Sequence, residues 1–257
     1  MAETIVKVEN LCLCYNNIPA VNNVSFTVNE GEILAIIGQN GSGKTSTVEC
    51  VEGLRRLDSG IIRVFGQDPL QDRSEIYKKM GVQLQETEYP SKIRVEEECR
   101  LFACFYDRPA DWKLLLKQMN LEDKRRSPIR KLSGGEKQRL SILLSLMGRP
   151  KLLILDEITT GLDPEARQNM ILSFDSIRRS GISIILVSHY LDEAEALADK
   201  ILYLEKGSQK FLGTQQGFRD YVKSRVSREK WKDSCSLEEL YLMITPKTEG
   251  ITMEGIL

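Results

Sequence analysis

The chain has 257 residues, 36 lysines and arginines against 37 aspartates and glutamates, and a formal charge of −1, with 41% of its residues apolar. These figures describe an ordinary globular protein, large enough to bury a full core without staples and carrying no global field that would attract nucleic acid. Its longest apolar runs are far short of the ~20 residues that cross a bilayer, and Met1-Ala-Glu-Thr leads into no signal-peptide pattern, so a cytosolic chain is expected, with any membrane role borrowed from a partner.

In chain order, the first element expected is a strand through Leu11-Cys-Leu-Cys14, with Cys12 and Cys14 on one side as small buried hydrophobes in a reducing compartment. The six cysteines include no CxxC pair and the chain has one histidine, so no zinc site is expected. A second strand is predicted over residues 32–37. Gly38-Gln-Asn-Gly-Ser-Gly-Lys-Thr45 follows it and leads into a helix-like stretch, residues 45–54. Gly38, Gly41 and Gly43 lack a Cβ, so backbone N–H groups can turn inward around phosphate oxygens at a helix N-terminus. Asn40, Ser42 and Ser46 share this loop; Lys44 would reach the β- and γ-phosphates and Thr45 would bind Mg²⁺. Strand before and helix after make this an ATP or GTP site rather than a plain turn with an incidental lysine.

Between residues 86 and 131 the rhythm turns helical, with Val95, Cys99, Phe102 and Phe105 at helix-like spacing and Pro109 and Pro128 as breaks. The basic cluster Lys124-Arg-Arg126 reads as a solvated face. Ser133-x-x-Glu136 is a capping box opening a helix that carries Leu140, Leu143, Leu144 and Met147 before Gly148 and Pro150 stop it. Gly134 and Gly135 leave that helix N-terminus bare, so its N–H groups can approach an anion closely.

Residues 151–155 and 182–187 predict two more strands, giving an α/β protein with a parallel sheet and helices on its faces. In such sheets ligands bind beyond the carboxyl ends of the strands. The three runs end in the phosphate loop, in Asp156-Glu157 and in Ser188-His189, so their chemistry converges on one rim. Asp156 would hold Mg²⁺ from the side opposite Thr45. Glu157, directed away from Asp156 by strand alternation, would face an attacking water as general base or water-orienting residue. His189 would hydrogen-bond the transferring γ-phosphate. Further on, residues 219–232 carry six basic and two acidic side chains with Tyr221, Val222 and Trp231 interleaved. This reads as a solvated helix, with contact to anionic headgroups as the sharper alternative.

Leu132-Ser-Gly-Gly-Glu-Lys-Gln-Arg139, together with the phosphate loop and the Asp156-Glu157 strand end, resembles the signature of ATP-binding cassette ATPases, and the resemblance spans Thr4 to about Gly213. It implies a P-loop NTPase core with a mostly parallel sheet and an N-terminal antiparallel β part (residues 1–85 and 132–215), an inserted helical subdomain (86–131) and a C-terminal helical tail (216–257). ATP and Mg²⁺ are the implied substrate and metal. Ser133, Gly134 and Gly135 would meet the γ-phosphate of ATP held by the opposite subunit, and Asp163, in Thr160-Gly-Leu-Asp163-Pro164, would cross the dimer interface. Gln85 matches the glutamine that touches Mg²⁺ and couples to the membrane partner, with Gln83 as the competing choice. Tyr15 matches the aromatic that stacks on adenine. Ile158 stands where many members carry proline, which leaves the turn into the interface loop freer. The implied partners are an integral membrane permease, docked by the helical subdomain, and a second ATPase subunit, identical or related. The implied place is the cytoplasmic face of the membrane. Ser236-Leu-Glu-Glu-Leu-Tyr-Leu-Met243 looks like the terminal segment of subunits that serve drug, antibiotic or polysaccharide exporters, which points to export. An importer ATPase, or a cassette protein acting on ribosomes or DNA, are the alternatives.

Overall fold

The computed structural model describes residues 3–83, 89–90, 92–158, 167, 170–171, 174, 177, 179–227, 231 and 234–245. Gln85 and Asp163 lie outside these residues.

β1 (Thr4–Tyr15) and β2 (Ile18–Asn29) form an antiparallel hairpin closed by Asn16 and Asn17. Both asparagines hold positive φ, 49° and 65°, the backbone that a two-residue hairpin turn requires and that asparagine tolerates. β4 (Ser59–Val64) pairs antiparallel with the other edge of β1. β3 (Ile33–Ile37), β6 (Leu152–Asp156) and β7 (Ser183–Val187) run parallel with β5 (Met80–Gln83) and β8 (Lys200–Glu205), and β9 (Ser208–Thr214) returns antiparallel along β8. Among the described residues the nine strands form one sheet in the order β4-β1-β2-β9-β8-β3-β7-β6-β5. Every residue of β3 and β7 is buried, as expected of central parallel strands covered on both faces.

The helices are α1 (Lys44–Val51), α2 (Arg73–Tyr77), α3 (Val95–Ala103), α4 (Trp112–Gln118), α5 (Gly134–Ser145), α6 (Leu191–Leu197), α7 (Gln215–Lys223) and α8 (Leu237–Ile244). Val95 and Cys99 of α3 and Leu116 of α4 share a core with Leu140, Leu143 and Leu144 of α5. Fully burying an aliphatic side chain contributes roughly 1.5–3 kcal/mol, so this shared core fixes α3 and α4 to α5. Among the described residues, no helix is long and apolar enough to cross a membrane.

Three expectations need correction. Cys12 is half-buried and Cys14 exposed, because Leu11 and Leu13 take the core-facing side of β1 and strand alternation turns the two cysteines to the other face near the turn. Phe105 is 70% exposed, since α3 stops at Ala103 and the chain turns before a fourth apolar position can face inward. The basic cluster is more than a solvated face: Lys124 pairs with Glu136 at 3.2 Å and Arg125 with Glu96 at 3.1 Å, tying α3 and α5 together. The tail helix α7 does turn an apolar side inward, burying Phe218 and Val222 beside Tyr203, while its Arg219 pairs with Glu195 of α6 at 2.9 Å.

Candidate functional site

β3 delivers the phosphate loop and α1 begins at its end. The loop's last glycine, Gly43, caps α1 in the left-handed region with φ 96°, and a Cβ there would lie 2.5 Å from the carbonyl oxygen of Ala20. Conformation and space therefore both demand glycine at that position. A cavity of about 360 Å³ is lined by Asn40, Gly41, Ser42, Gly43, Lys44, Thr45, Ser46 and Glu157. Gly38 is buried where the loop leaves β3. The Lys44 ammonium donates to the carbonyls of Gly38 at 2.8 Å and Gln39 at 3.1 Å. Burial lowers its pKa, while Glu157 and Asp156 act in the opposite sense.

β6 ends in Asp156, whose carboxyl is pushed up to about 6 by burial and then by Glu157, with Lys44 opposing. Glu157 does not continue the strand. It adopts φ 51° and its N–H donates to the Val187 carbonyl at 2.9 Å. The turn, not the pleat, thus carries its carboxylate into the phosphate cavity; the expected direction is reached by a different route. β7 ends next to it, and His189 Nδ1 lies 3.3 Å from Glu157 Oε1. Lys44, Asp156, Glu157 and His189 are thereby gathered at the carboxyl ends of three neighbouring strands.

Two buried polar atoms here have no hydrogen-bond partner, Ser42 Oγ and Asp156 Oδ1. A hydroxyl that can donate to a phosphate oxygen and a carboxylate that can meet a divalent cation fit a metal-bound nucleotide. Among the described residues no three His, Cys, Asp or Glu side chains cluster as a metal centre. A Mg²⁺ ion would accordingly be shared between Asp156, the Thr45 hydroxyl and phosphate oxygens, as this ion's preference for one or two protein ligands suggests.

Tyr15 ends β1 at the far side of the loop, with its hydroxyl 3.2 Å from Ser46 Oγ. Arg55 lies 4.9 Å above its ring and is itself held by Glu49 at 2.7 Å. Sequence patterning did not single out Arg55; only the pairing of β1 against the end of α1 brings it there. Ser133 caps α5 as expected: its Oγ accepts from the Glu136 N–H at 3.2 Å and its own N–H donates to the Glu136 carboxylate at 2.7 Å. A Cβ on Gly134 would meet nothing within 4 Å. Ser133, Gly134 and Gly135 do not line the phosphate cavity of their own chain. Gln83, the competing glutamine, is 1% exposed at the end of β5.

A second cavity of about 480 Å³ adjoins the first and is lined by Gly38, Gln39, Asn40, Ser188, His189, Leu191 and, from the tail helix α8, Tyr241, with Ile37 at its floor. The tail's presence at the rim was invisible in the sequence, because it depends on how α8 packs on α6.

A family model described as ABC transporter matches residues 21–160. The chain is 33% identical over 208 residues to the Nod factor export ATP-binding protein I of Ralstonia nicotianae, covering 79% of this chain and 65% of that protein. It is 32% identical over 216 residues to the methionine import ATP-binding protein MetN of Mesorhizobium japonicum, covering 80% and 59%. To the linearmycin resistance ATP-binding protein LnrL of Bacillus subtilis it is 30% identical over 219 residues, covering 82% and 70%. The chain therefore spans less than two thirds of the length of the first two relatives. Among solved structures, an ATP-binding subunit of an ABC transporter superposes with a TM-score of 0.80 at 28% identity, covering 93% of this chain and 98% of that one. The cbiO1 subunit of Clostridium perfringens gives 0.75 at 25% identity, covering 88% and 97%.

Proposed function

This chain belongs to the ABC transporter family, and from that premise we propose that it is an ATP-hydrolysing subunit that powers a separately encoded membrane permease. The observation that carries the reading is the convergence of Lys44 and Glu157 on one phosphate cavity, with His189 in contact with Glu157.

The loop N–H groups and Lys44 hold the β- and γ-phosphates of ATP, and Tyr15 supports the adenine by stacking. Thr45 and Asp156, with Gln85, would hold Mg²⁺, which when bound neutralises charge on the transferring phosphoryl group. Glu157 takes the proton of the attacking water or fixes its orientation, and His189 hydrogen-bonds the γ-phosphate. A second copy or a related chain supplies the bare N-terminus of α5, with Ser133, Gly134 and Gly135, and Asp163 from its interface loop. Positioning and charge neutralisation then carry the rate gain. Hydrolysis removes the group that both chains grip and reopens the dimer.

Export is the favoured direction, on the match of Ser236–Met243 to the terminal segment of drug and polysaccharide exporters and on similarity to the linearmycin resistance protein. The similarity to MetN supports import as the second reading. The place of action is the cytoplasmic face of the membrane, through the permease. The test is recovery of partners from solubilised membranes with tagged Glu157→Gln protein and Mg·ATP. A polytopic permease alone is expected; a permease with a secreted binding protein would mean import, and ribosomes or DNA would overturn the transporter assignment.

A further inference from the structure

His189 is one end of a stack of side chains that begins on another segment. The Arg167 guanidinium carbon lies 3.8 Å from the centroid of the Tyr190 ring, and Arg167 Nη1 reaches Asp192 Oδ2 at 3.5 Å. The Tyr190 and His189 rings are 4.0 Å apart with planes inclined at 38°. The guanidinium and the imidazole therefore both pack directly on the Tyr190 ring. Its backbone is pinned as well: the Tyr190 N–H donates to Ser188 Oγ at 2.9 Å, and that hydroxyl donates to the Tyr190 carbonyl at 3.1 Å. The far edge of the imidazole meets Glu157.

The ion pair between Arg167 and Asp192 is long and partly exposed, and by itself would contribute little. The stacking is different in kind. The Arg167 side chain is only 23% exposed, and cation–π contacts strengthen as the cation loses water. Remove the guanidinium, and the Tyr190 ring loses a contact that holds it; the imidazole packed on that ring is then no longer fixed where it meets Glu157.

We propose that Arg167 is a positioning residue for His189, acting through Tyr190. The inference rests on His189 as the γ-phosphate contact. Arg167 follows Asp163 by four residues, so the same clamp links the sequence expected to cross between subunits to the histidine that meets the phosphate.

His189 is the only histidine in the chain, so its imidazole carbon-bound protons give the sole histidine signals in a carbon-edited NMR spectrum of the full-length protein. Arg167→Ala and Tyr190→Leu are expected to displace or broaden those signals and to lower kcat for ATP about tenfold, as a small misplacement of a reacting group does, while KM changes little. Tyr190→Phe keeps the ring and should match the parent, and Arg167→Lys should restore part of the loss. Adding Arg167→Ala to His189→Ala should cost nothing further if the two act as one unit. Unchanged imidazole signals in folded Arg167→Ala, or a full additional loss in the double variant, would overturn the proposal. If Arg167→Ala fails to fold, Arg167→Lys and Tyr190→Leu carry the same comparison. If His189→Ala hydrolyses ATP like the parent, the reading of His189 fails, and the NMR comparison still decides whether Arg167 fixes the ring.

Discussion

In the proposed function Glu157 turns a binding loop into a site for hydrolysis, and its position illustrates what a sequence can and cannot specify. Strand alternation predicted that Glu157 points away from Asp156, and its carboxylate does line the phosphate cavity. The cause is a left-handed residue just past the strand end, which no alternation rule contains. Glu157→Gln keeps the shape and removes the proposed base or water-orienting carboxylate, so it should bind ATP as the parent does while hydrolysis falls about a thousandfold, measured by nucleotide binding and single-turnover assays. Lys44→Ala removes a charge-assisted donor that is 6% exposed; ATP affinity should fall at least about tenfold, measured by fluorescent nucleotide titration. The placement of Lys44, Asp156 and His189 on one rim was legible because each follows the end of an apolar, strand-length run. Arg55, Arg167 and Tyr190 were not, because their contacts are side-chain stackings between segments distant in sequence.

At the scale of elements, α1 serves two masters. Its N-terminus faces the phosphate cavity, and its C-cap residue, Glu52, is 5% exposed. Burial, reinforced by Asp156 and Glu49, pushes the Glu52 carboxyl up to about 7 from an ordinary 4.5. A carboxyl raised in the folded state favours folding while it stays protonated, so that contribution is complete below about pH 4.5 and is lost as pH rises through about 7. Glu52→Gln should therefore flatten the pH dependence over this window and stabilise the protein at pH 8 by on the order of 3 kcal/mol, measured as urea unfolding at pH 5 and pH 8. A variant with the parent's slope would exclude Glu52 as its source. The strands around residues 32–37, 151–155 and 182–187 and the capping box of α5 were readable, since apolar runs and Ser-x-x-Glu act locally. The Lys124–Glu136 pair was not, because a basic cluster reads as solvated until the fold supplies its acidic partners.

For the whole molecule, the proposed function leaves a face for a second chain to complete. Ser133 and the glycines after it lie on a helix N-terminus outside their own phosphate cavity, and the tail helix α8 brings Tyr241 to the rim beside His189. In the proposed dimer a second copy would bring its α5 over the γ-phosphate, and Ser133→Arg should block that closure while leaving nucleotide binding by the monomer intact. The parallel sheet was legible from the order of apolar runs, and the antiparallel part from the family resemblance; the place of the tail was not, because it depends on α8 packing against α6 and α7. The most direct measurement is sedimentation velocity of Glu157→Gln protein with and without Mg·ATP, alone and joined to its permease. A dimer that forms only with Mg·ATP and is abolished by Ser133→Arg is the expected result. An ATP-loaded protein that stays monomeric in both settings would contradict a shared site.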